Sequence, residues 1–472
     1  MKIKHTEIEI DEKNPFANCK LDRKKYAQIL SDIVNTYADG FVLAINNEWG
    51  TGKTTFVKMW QQELKNNDFK TIYFNAWEND YDNNPLVALM SELKTLSNKK
   101  NEKTFRSIVE KGAILTKNIL PSLVKSVVKK STGIDSDTIL DVVENVTKGT
   151  TEIFEKEINE YIERKNTVIE FKKELAKFVK ETEVSKPLVF IIDELDRCRP
   201  DYAVEVLEKI KHFFSVEGIV FVLSIDKNHL ASSIKGHYGS ESINTDEYLR
   251  RFIDLEYSIP RPSTAVFCEY LYDYYSFNDF YFSDKRKQHS EYNDDAGMFR
   301  KMAILLFDKS NATLRQQEKM FALTRIVLSS FYPNQDIFPH LLFVLVFLKI
   351  MKNQIYEGIK NNTYSIQELN DIFENLLPID FRKEFGVNLF YVNALLLHFY
   401  NNTQGYDNRE ELITKNADGN FICLFKSKFE KDLKPWQDLA LCLNDINGRC
   451  YFNDARLNFL LNKIDLTEAI KK

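Results

Sequence analysis

Apolar residues follow two regimes along the chain. Up to about residue 260, short unbroken apolar runs alternate with stretches of helical spacing. Residues 22–37 put Tyr26, Ile29, Leu30 and Ile33 at the three- and four-residue intervals of an amphipathic helix. Phe41–Ile45 (FVLAI), Thr71–Phe74 (TIYF), Leu188–Ile192 (LVFII) and Ile219–Ile225 (IVFVLSI) are apolar throughout, as strands covered on both faces are. Such strands, separated by helices, predict a parallel sheet in an α/β fold.

Residues 99–183 interrupt this alternation. Lys and Glu are dense there, and apolar positions at 139, 143 and 146, and again from 154 to 179, recur with helical period. Long amphipathic helices, arranged as a hairpin, are expected. Within this interval, 114–130 reads either as a helix packed on protein or as one lying in a membrane interface. After Pro260 the strand pattern stops, and the rest reads as helices rich in Phe, Tyr and Leu, with Asn- and Asp-rich loops near 278–295, 400–420 and 444–454. The most apolar stretch, Leu341–Leu348, is bracketed by His340 and Lys349. It is far shorter than the roughly 20 residues that span a bilayer, so it predicts a buried helix.

Composition narrows the class. With 472 residues, 44% hydrophobic and 28% charged, the chain has ample apolar material for packed cores and is not a disordered protein. The pattern divides it into 1–98 and 184–262 as two parts of an α/β core, 99–183 as a helical insertion, 263–332 as a helical lid and 333–472 as a helical C-terminal domain. A net charge of −5 argues against a globally basic nucleic-acid binder. Local basic clusters at Lys125, Lys129 and Lys130, and at Lys285, Arg286 and Lys287, leave nucleic-acid contact open without indicating it. The six cysteines lack CxxC spacing, the seven histidines are scattered, and the N-terminal segment has no apolar signal-type core. A cytoplasmic protein without a zinc site or an integral membrane segment is the expectation.

The chemistry is concentrated after the first strand. Asn47-Glu48-Trp49-Gly50-Thr51-Gly52-Lys53-Thr54-Thr55 links a buried strand to a helical pattern, the context of a phosphate-binding loop. Successive backbone N–H groups curl around a phosphate, and Gly50 and Gly52 permit the close approach. The helix N-terminus favours the anion. Lys53 can reach the outer phosphates, and Thr54 can hold Mg²⁺. Position 47 carries Asn where the motif has Gly, and Asn is the side chain that best tolerates a left-handed backbone.

Such a loop calls for an acid at the end of a second buried strand. Asp193 meets that need as a water-mediated Mg²⁺ ligand, and Glu194 follows as the group that orients and polarises an attacking water. An interval from Lys53 to Asp193 exceeds what a strand and two helices require by about 70–80 residues, the length of the helical insertion. The fourth strand ends at Ser224 and Asp226, each readable as a γ-phosphate sensor or as a cap or turn residue.

Four stretches together resemble the KAP family of P-loop NTPases: Glu48–Thr55 with its Trp before the glycines, Phe74-Asn75-Ala76-Trp77 followed by Pro85-Leu86, Ile192–Cys198 (IDELDRC), and Asp246–Ile253 ending at Pro260. The resemblance covers roughly residues 15–330. It implies an ATP-directed core of the additional-strand type, in which one strand separates the phosphate-loop strand from the acidic strand. It also implies bacterial origin and a link to phage defence. Many members carry transmembrane helices where this chain has charged, non-spanning ones, so only peripheral membrane contact stays open. Carried over by residue, Lys53, Thr54, Asp193 and Glu194 match the nucleotide site, and Asp196 and Arg197 match the acid–base pair that follows it. Arg251 falls where an arginine reaches the γ-phosphate in cis or from a neighbouring subunit, and Arg315 falls in the sensor segment of a helical lid. Trp77 reads as a core anchor in preference to a substrate contact, and Asn75 as a residue that orders the site by hydrogen bonding.

ATP and Mg²⁺ are therefore the expected ligands, and an ATP-hydrolysing switch or motor with a protein partner, working as a homo-oligomer in anti-phage defence, is the expected function. A non-hydrolysing ATP-dependent scaffold and a nucleic-acid-handling ATPase are the alternatives. Glu194 and Arg251 favour hydrolysis, since a scaffold needs neither.

Overall fold

The four apolar runs become strands of one sheet in the computed structural model, which describes residues 8–37, 40–117, 139–182, 186–376, 389–405, 408–428, 438–449, 452 and 454–466, with side chains described except at 116–117 and 139–154. The strands are β1 (Val42–Asn46), β2 (Thr71–Asn75), β3 (Leu188–Asp193), β4 (Ile219–Ile225) and a fifth, β5 (Leu255–Tyr257). All pair in parallel, in the order β2-β3-β4-β1-β5. Every residue of β3 and β4 is buried, which explains why these strands read as unbroken runs. Successive side chains go to opposite faces: Phe190, Ile192, Phe221 and Leu223 join one core, and Val189, Ile191, Val220 and Val222 the other.

β5 was not among the expected strands. It has three residues, sits at the sheet edge and leaves Leu255 and Glu256 exposed, so no apolar run marks it. It is tied to the start of β1 by the Asp254 N–H donating to the Val42 carbonyl at 3.0 Å and the Val42 N–H donating to Asp254 Oδ2 at 2.8 Å.

The chain divides into two compact units, Ile8–Pro260 and a second built largely from Arg261–Lys472. In the first, α1 (Lys24–Thr36) and α2 (Lys53–Asn66) supply Leu30, Val34, Phe56, Val57 and Trp60 to one sheet face. The other face is covered from α3 (Pro85–Lys94), α4 (Glu102–Lys117), α5 (Ile139–Glu181), α6 (Pro200–Lys209) and α7 (Lys227–Tyr238), with α8 (Thr245–Leu249) leading toward β5. α4 and α5 lie in sequence between the phosphate loop and β3, and meet through Phe105 against Phe178 (5.5 Å between ring centroids). The C-terminal part of α5 joins the sheet core through Phe171, edge-on to Phe214 at 5.9 Å. Most of the 114–130 stretch, with Lys125, Lys129 and Lys130, lies outside the described residues. No helix among the described residues is long and apolar enough to cross a membrane.

The second unit is mainly helical: α9 (Thr264–Tyr274), α10 (Asn278–Tyr281), α11 (Asp295–Lys309), α12 (Leu314–Leu328), α13 (Pro339–Met351), α14 (Asn353–Lys360), α15 (Ile366–Leu376), α16 (Leu389–Asn401), α17 (Leu439–Asn447) and α18 (Asn458–Ile464). Leu341–Leu348 is the expected buried helix, α13, entered through Pro339 in its first turn, where the missing proline N–H costs nothing. Phe343 meets Phe299 and Phe321 edge-on in an aromatic core. The stretch expected to be a loop near 400–420 contributes to a small antiparallel hairpin, β6 (Ile413–Lys415) and β7 (Phe421–Cys423). Its turn is held by the Asn416 carboxamide, which accepts from the N–H groups of Asp418 (3.0 Å) and Asn420 (2.9 Å).

Phe221 is the aromatic centre of one sheet face, stacked on Phe190 at 5.2 Å and edge-on to Phe214 at 6.2 Å. Phe221→Ala is expected to lower stability by about 3–5 kcal/mol in urea unfolding; a loss under about 1 kcal/mol would contradict the packing described.

Candidate functional site

The phosphate loop leaves the C-terminal end of β1 and enters α2. Gly50 and Gly52 have φ of +81° and +78°, a left-handed backbone that disfavours other residues. Space is limited as well: a Cβ at Gly52 would lie 3.1 Å from Arg23 Nη1.

A loop that turns its N–H groups inward needs partners for its carbonyls. Arg23, buried at the head of α1, donates from Nη2 to the Thr51 carbonyl at 2.7 Å and from Nη1 to the Gly52 carbonyl at 3.3 Å. Burial lowers the pKa of this guanidinium, which nonetheless stays charged. The Thr51 hydroxyl donates to the Glu48 carbonyl at 2.8 Å. Asn47 pairs with the segment after β5: its amide donates to the Ile259 carbonyl at 2.8 Å, and its side-chain oxygen accepts the Ile259 N–H at 2.9 Å. The left-handed backbone expected at Asn47 is not found, since its φ is not positive. Asparagine suits this position because its carboxamide imitates a peptide group and fastens the loop to a neighbouring segment.

Lys53 is 9% exposed, and its ammonium donates to the carbonyls of Asn47 and, at 3.2 Å, of Glu48. Burial lowers its pKa; Asp196, Asp226 and Asp193 oppose that shift. Opposite, β3 ends with Asp193, whose Oδ2 accepts from the Tyr73 hydroxyl at 2.9 Å and whose Oδ1 accepts the Glu194 N–H at 3.0 Å. Glu194 follows at φ +61°, a left-handed conformation unusual for a glutamate. Its Oε1 pairs with Arg197 at 2.8 Å, and its Oε2 accepts from the Asn75 amide at 3.4 Å. Burial raises the pKa of Glu194, and Arg197 counteracts it.

Lys53, Thr54, Asp193, Glu194 and Ser224 line one cavity of about 150 Å³ together with Trp49, Gly50 and Gly52. The Ser224 hydroxyl is fully buried and has no hydrogen-bond partner among the described residues. A phosphate suits this cradle: it offers acceptors to the orphaned hydroxyl and to the lysine. Thr54 and Asp193 stand where a hydrated Mg²⁺ can be held beside it.

The sequence profile of the KAP family P-loop domain matches residues 23–330, well over half of the chain. The chain belongs to the KAP family of P-loop proteins. No individual curated protein matches it. Membership implies that this KAP protein binds a nucleotide, and the cavity around Lys53 is where its phosphates fit.

Of the expected site residues, the loop between β1 and α2, the end of β3 and the turn after it bring together Trp49, Gly50, Gly52, Lys53, Thr54, Asp193, Glu194, Asp196 and Arg197. Asn47, Glu48 and Thr51 shape the loop rather than line the cavity, and Thr55 follows Thr54 in the first turn of α2. Arg251 is not in this group. It lines a separate cavity of about 470 Å³ with Val42 and Asp254, where β1 begins. The length of β1, on the order of 15 Å, separates it from the loop. Arg251 therefore stands at the opposite end of β1 from the phosphate loop. Arg315 stands in the first turn of α12, in the second unit, behind a capping box formed by Thr313 and Gln316.

Other expectations change. Asp226 is a cap: its Oδ1 accepts the Asn228 N–H at 3.1 Å, and its Oδ2 accepts the Trp49 N–H at 3.1 Å. Trp77 is not a core anchor, being 54% exposed; Ala76 before it is the buried residue. Asn75 does order the site, accepting the Trp77 N–H at 3.1 Å while reaching Glu194. Arg286 does not offer its charge to nucleic acid: it is buried, paired with Asp295 and bonded to the carbonyls of Pro333 (2.9 Å) and Gln335 (3.0 Å).

Arg23 and Tyr73 were missed. Arg23 carries no local motif, and its partners lie 28 and 29 positions away. Tyr73 is half-buried within β2, a polar hydroxyl in an otherwise apolar run that needed a partner. Arg23→Ala should weaken nucleotide binding about tenfold in an equilibrium titration, because two loop carbonyls lose a charged donor. An unchanged affinity would show that the loop does not depend on this clamp.

Proposed function

We propose that this KAP protein binds ATP with Mg²⁺ and hydrolyses it, using the cycle as a switch or motor in bacterial anti-phage defence with a protein partner. The observation that carries the hydrolytic reading is Glu194, a carboxylate on the same small cavity as Lys53, Thr54 and Asp193. A domain that only held nucleotide would not require an acid there.

Each residue has a part set by its position. The inward N–H groups of the loop and Lys53 bind the β- and γ-phosphates. Thr54 and Asp193 would hold Mg²⁺, which would neutralise the charge that develops on the phosphates. Tyr73 fixes the Asp193 carboxylate for that task. Ser224 donates its unused hydroxyl to the γ-phosphate, from the strand between β1 and β3. That strand order supports the additional-strand type of ATPase. Glu194 orients a water for attack and takes up its proton.

Arg251 acts in trans in this reading, which makes the active form a homo-oligomer, and Arg315 acts from a helical lid over 263–332. The helical region 333–472 receives the trigger or the partner. The defence role follows the family resemblance, and the cytoplasmic setting follows the cysteine pattern and the charged N-terminal segment.

Lys53→Ala should abolish tight ATP binding. Glu194→Gln should preserve binding and reduce steady-state turnover by about 100-fold or more. Both are read by phosphate release and equilibrium titration on the full-length protein, with light scattering to follow assembly. Retained binding in Lys53→Ala would overturn the nucleotide site. ATP-dependent assembly without turnover would favour the scaffold instead.

A further inference from the structure

Arg197 lines the same cavity as Lys53 and Glu194, and has no part in the chemistry described so far, yet it is tied to both ends of the site. It closes the short turn Leu195–Arg197 after β3 and donates from Nη1 to Glu194 Oε1 at 2.8 Å. Its guanidinium lies 5.8 Å from the ring centroid of Trp49 and 5.6 Å from that of Trp77. Trp49 belongs to the phosphate loop. Its backbone N–H is held by Asp226, its indole N–H by Asp196, and its ring lies flat on His229 with centroids 3.6 Å apart. Trp77 follows β2, anchored through its N–H to Asn75, the residue that reaches the other oxygen of Glu194.

We propose that Arg197 is a positioning residue for hydrolysis: the Trp49–Arg197–Trp77 brace fixes the Glu194 carboxylate at the phosphate cavity and couples its position to the shape of the phosphate loop. The proposal rests on the reading of Glu194 as the residue that orients water.

The geometry explains why a brace is needed. A glutamate has three side-chain torsions, and a carboxylate that is to aim one water cannot sample them freely. Arg197 and Asn75 come from different elements and take one oxygen each, so they fix both the place and the plane of the carboxylate. About four lone-pair sites exist on an ionised carboxylate, so two bonds still leave room for a water. A guanidinium is flat, and rings near it restrict its tilt in a way that a lysine ammonium would not reproduce. Trp49 gives the brace its second function. It lies between the nucleotide-binding glycines and Arg197, so a change in the loop is felt at Glu194 through packed groups.

A purely structural role makes a different forecast. The Arg197 side chain is about one-third exposed, and an ion pair at that exposure adds little to stability. Its loss would then leave both stability and turnover nearly unchanged.

The test uses the full-length protein with Arg197→Ala, Arg197→Lys and Trp77→Ala, measuring kcat and KM for Mg·ATP, the equilibrium dissociation constant of ATP, and the urea midpoint. Arg197→Ala is expected to lower kcat by about 10- to 100-fold, the scale of a misplaced catalytic group, while the dissociation constant moves by less than about threefold. Arg197→Lys should recover part of kcat. Trp77→Ala, at an exposed position, should lower kcat about threefold or more without shifting the urea midpoint. Unchanged or raised turnover in Arg197→Ala, with Glu194→Gln inactive, would overturn the brace alone. A parallel loss of ATP affinity and kcat would overturn it too, by making Arg197 a nucleotide contact. Full turnover in Glu194→Gln would remove the reading beneath it, and the proposal with it.

Discussion

The phosphate loop can present its N–H groups to an anion only if its carbonyls find donors elsewhere. The rest of the site follows from that constraint. Arg23 supplies charged donors to Thr51 and Gly52, the Thr51 hydroxyl and the Lys53 ammonium serve the carbonyl of Glu48, and Asn47 exchanges a pair of hydrogen bonds with Ile259. Apart from the Thr51 hydroxyl, these partners come from the head of α1, from α2 and from the segment after β5. The loop is therefore held by three parts of the unit rather than by its own glycines. The contacts of Lys53 show how loop and ligand compete: the same ammonium that braces the loop carbonyls is the one a phosphate would attract.

The acidic strand is organised by a comparable requirement. Asp193, Glu194, Asp196 and Asp226 crowd the adjacent ends of β3 and β4, and each needs a donor. Tyr73 serves Asp193, Arg197 and Asn75 serve Glu194, the indole of Trp49 serves Asp196, and the Trp49 N–H serves Asp226. Trp49 thus links two of these acids to the phosphate loop. A tryptophan before the glycines has a physical reason in this fold: it carries a donor at each end and a flat face that rests on His229. The cluster unites the two halves of the site across the β1-β4-β3 arrangement.

Much of this was legible in the sequence, for identifiable reasons. Central parallel strands are buried on both faces, so β1 to β4 appear as apolar runs, and the loop and the Asp193-Glu194 pair stand directly at their ends. β5 was not legible, because a three-residue edge strand with exposed Leu255 and Glu256 has no run to show. The residue types at positions 47 and 77 were readable, but their conformations were not. Asn47 serves through its carboxamide and not through its backbone, and Trp77 falls just after the chain has left the sheet. Arg23, Tyr73 and the place of Arg251 share one cause. Their partners, or their distance from the loop, are set by the pairing of strands and helices far apart in sequence, which only the assembled fold reveals.

The central claim is that a nucleotide triphosphate sits in this braced loop with Glu194 facing its terminal phosphate. The most direct measurement is a crystal structure of the full-length protein with a non-hydrolysable ATP analogue and Mg²⁺. The account predicts the phosphates within the Gly50–Thr54 cradle, Lys53 moved from the Asn47 carbonyl onto them, Ser224 bonded to the γ-phosphate, and Arg23 still clamping Thr51. An analogue bound elsewhere, or bound in the loop with Glu194 turned away from the γ-phosphate, would contradict it.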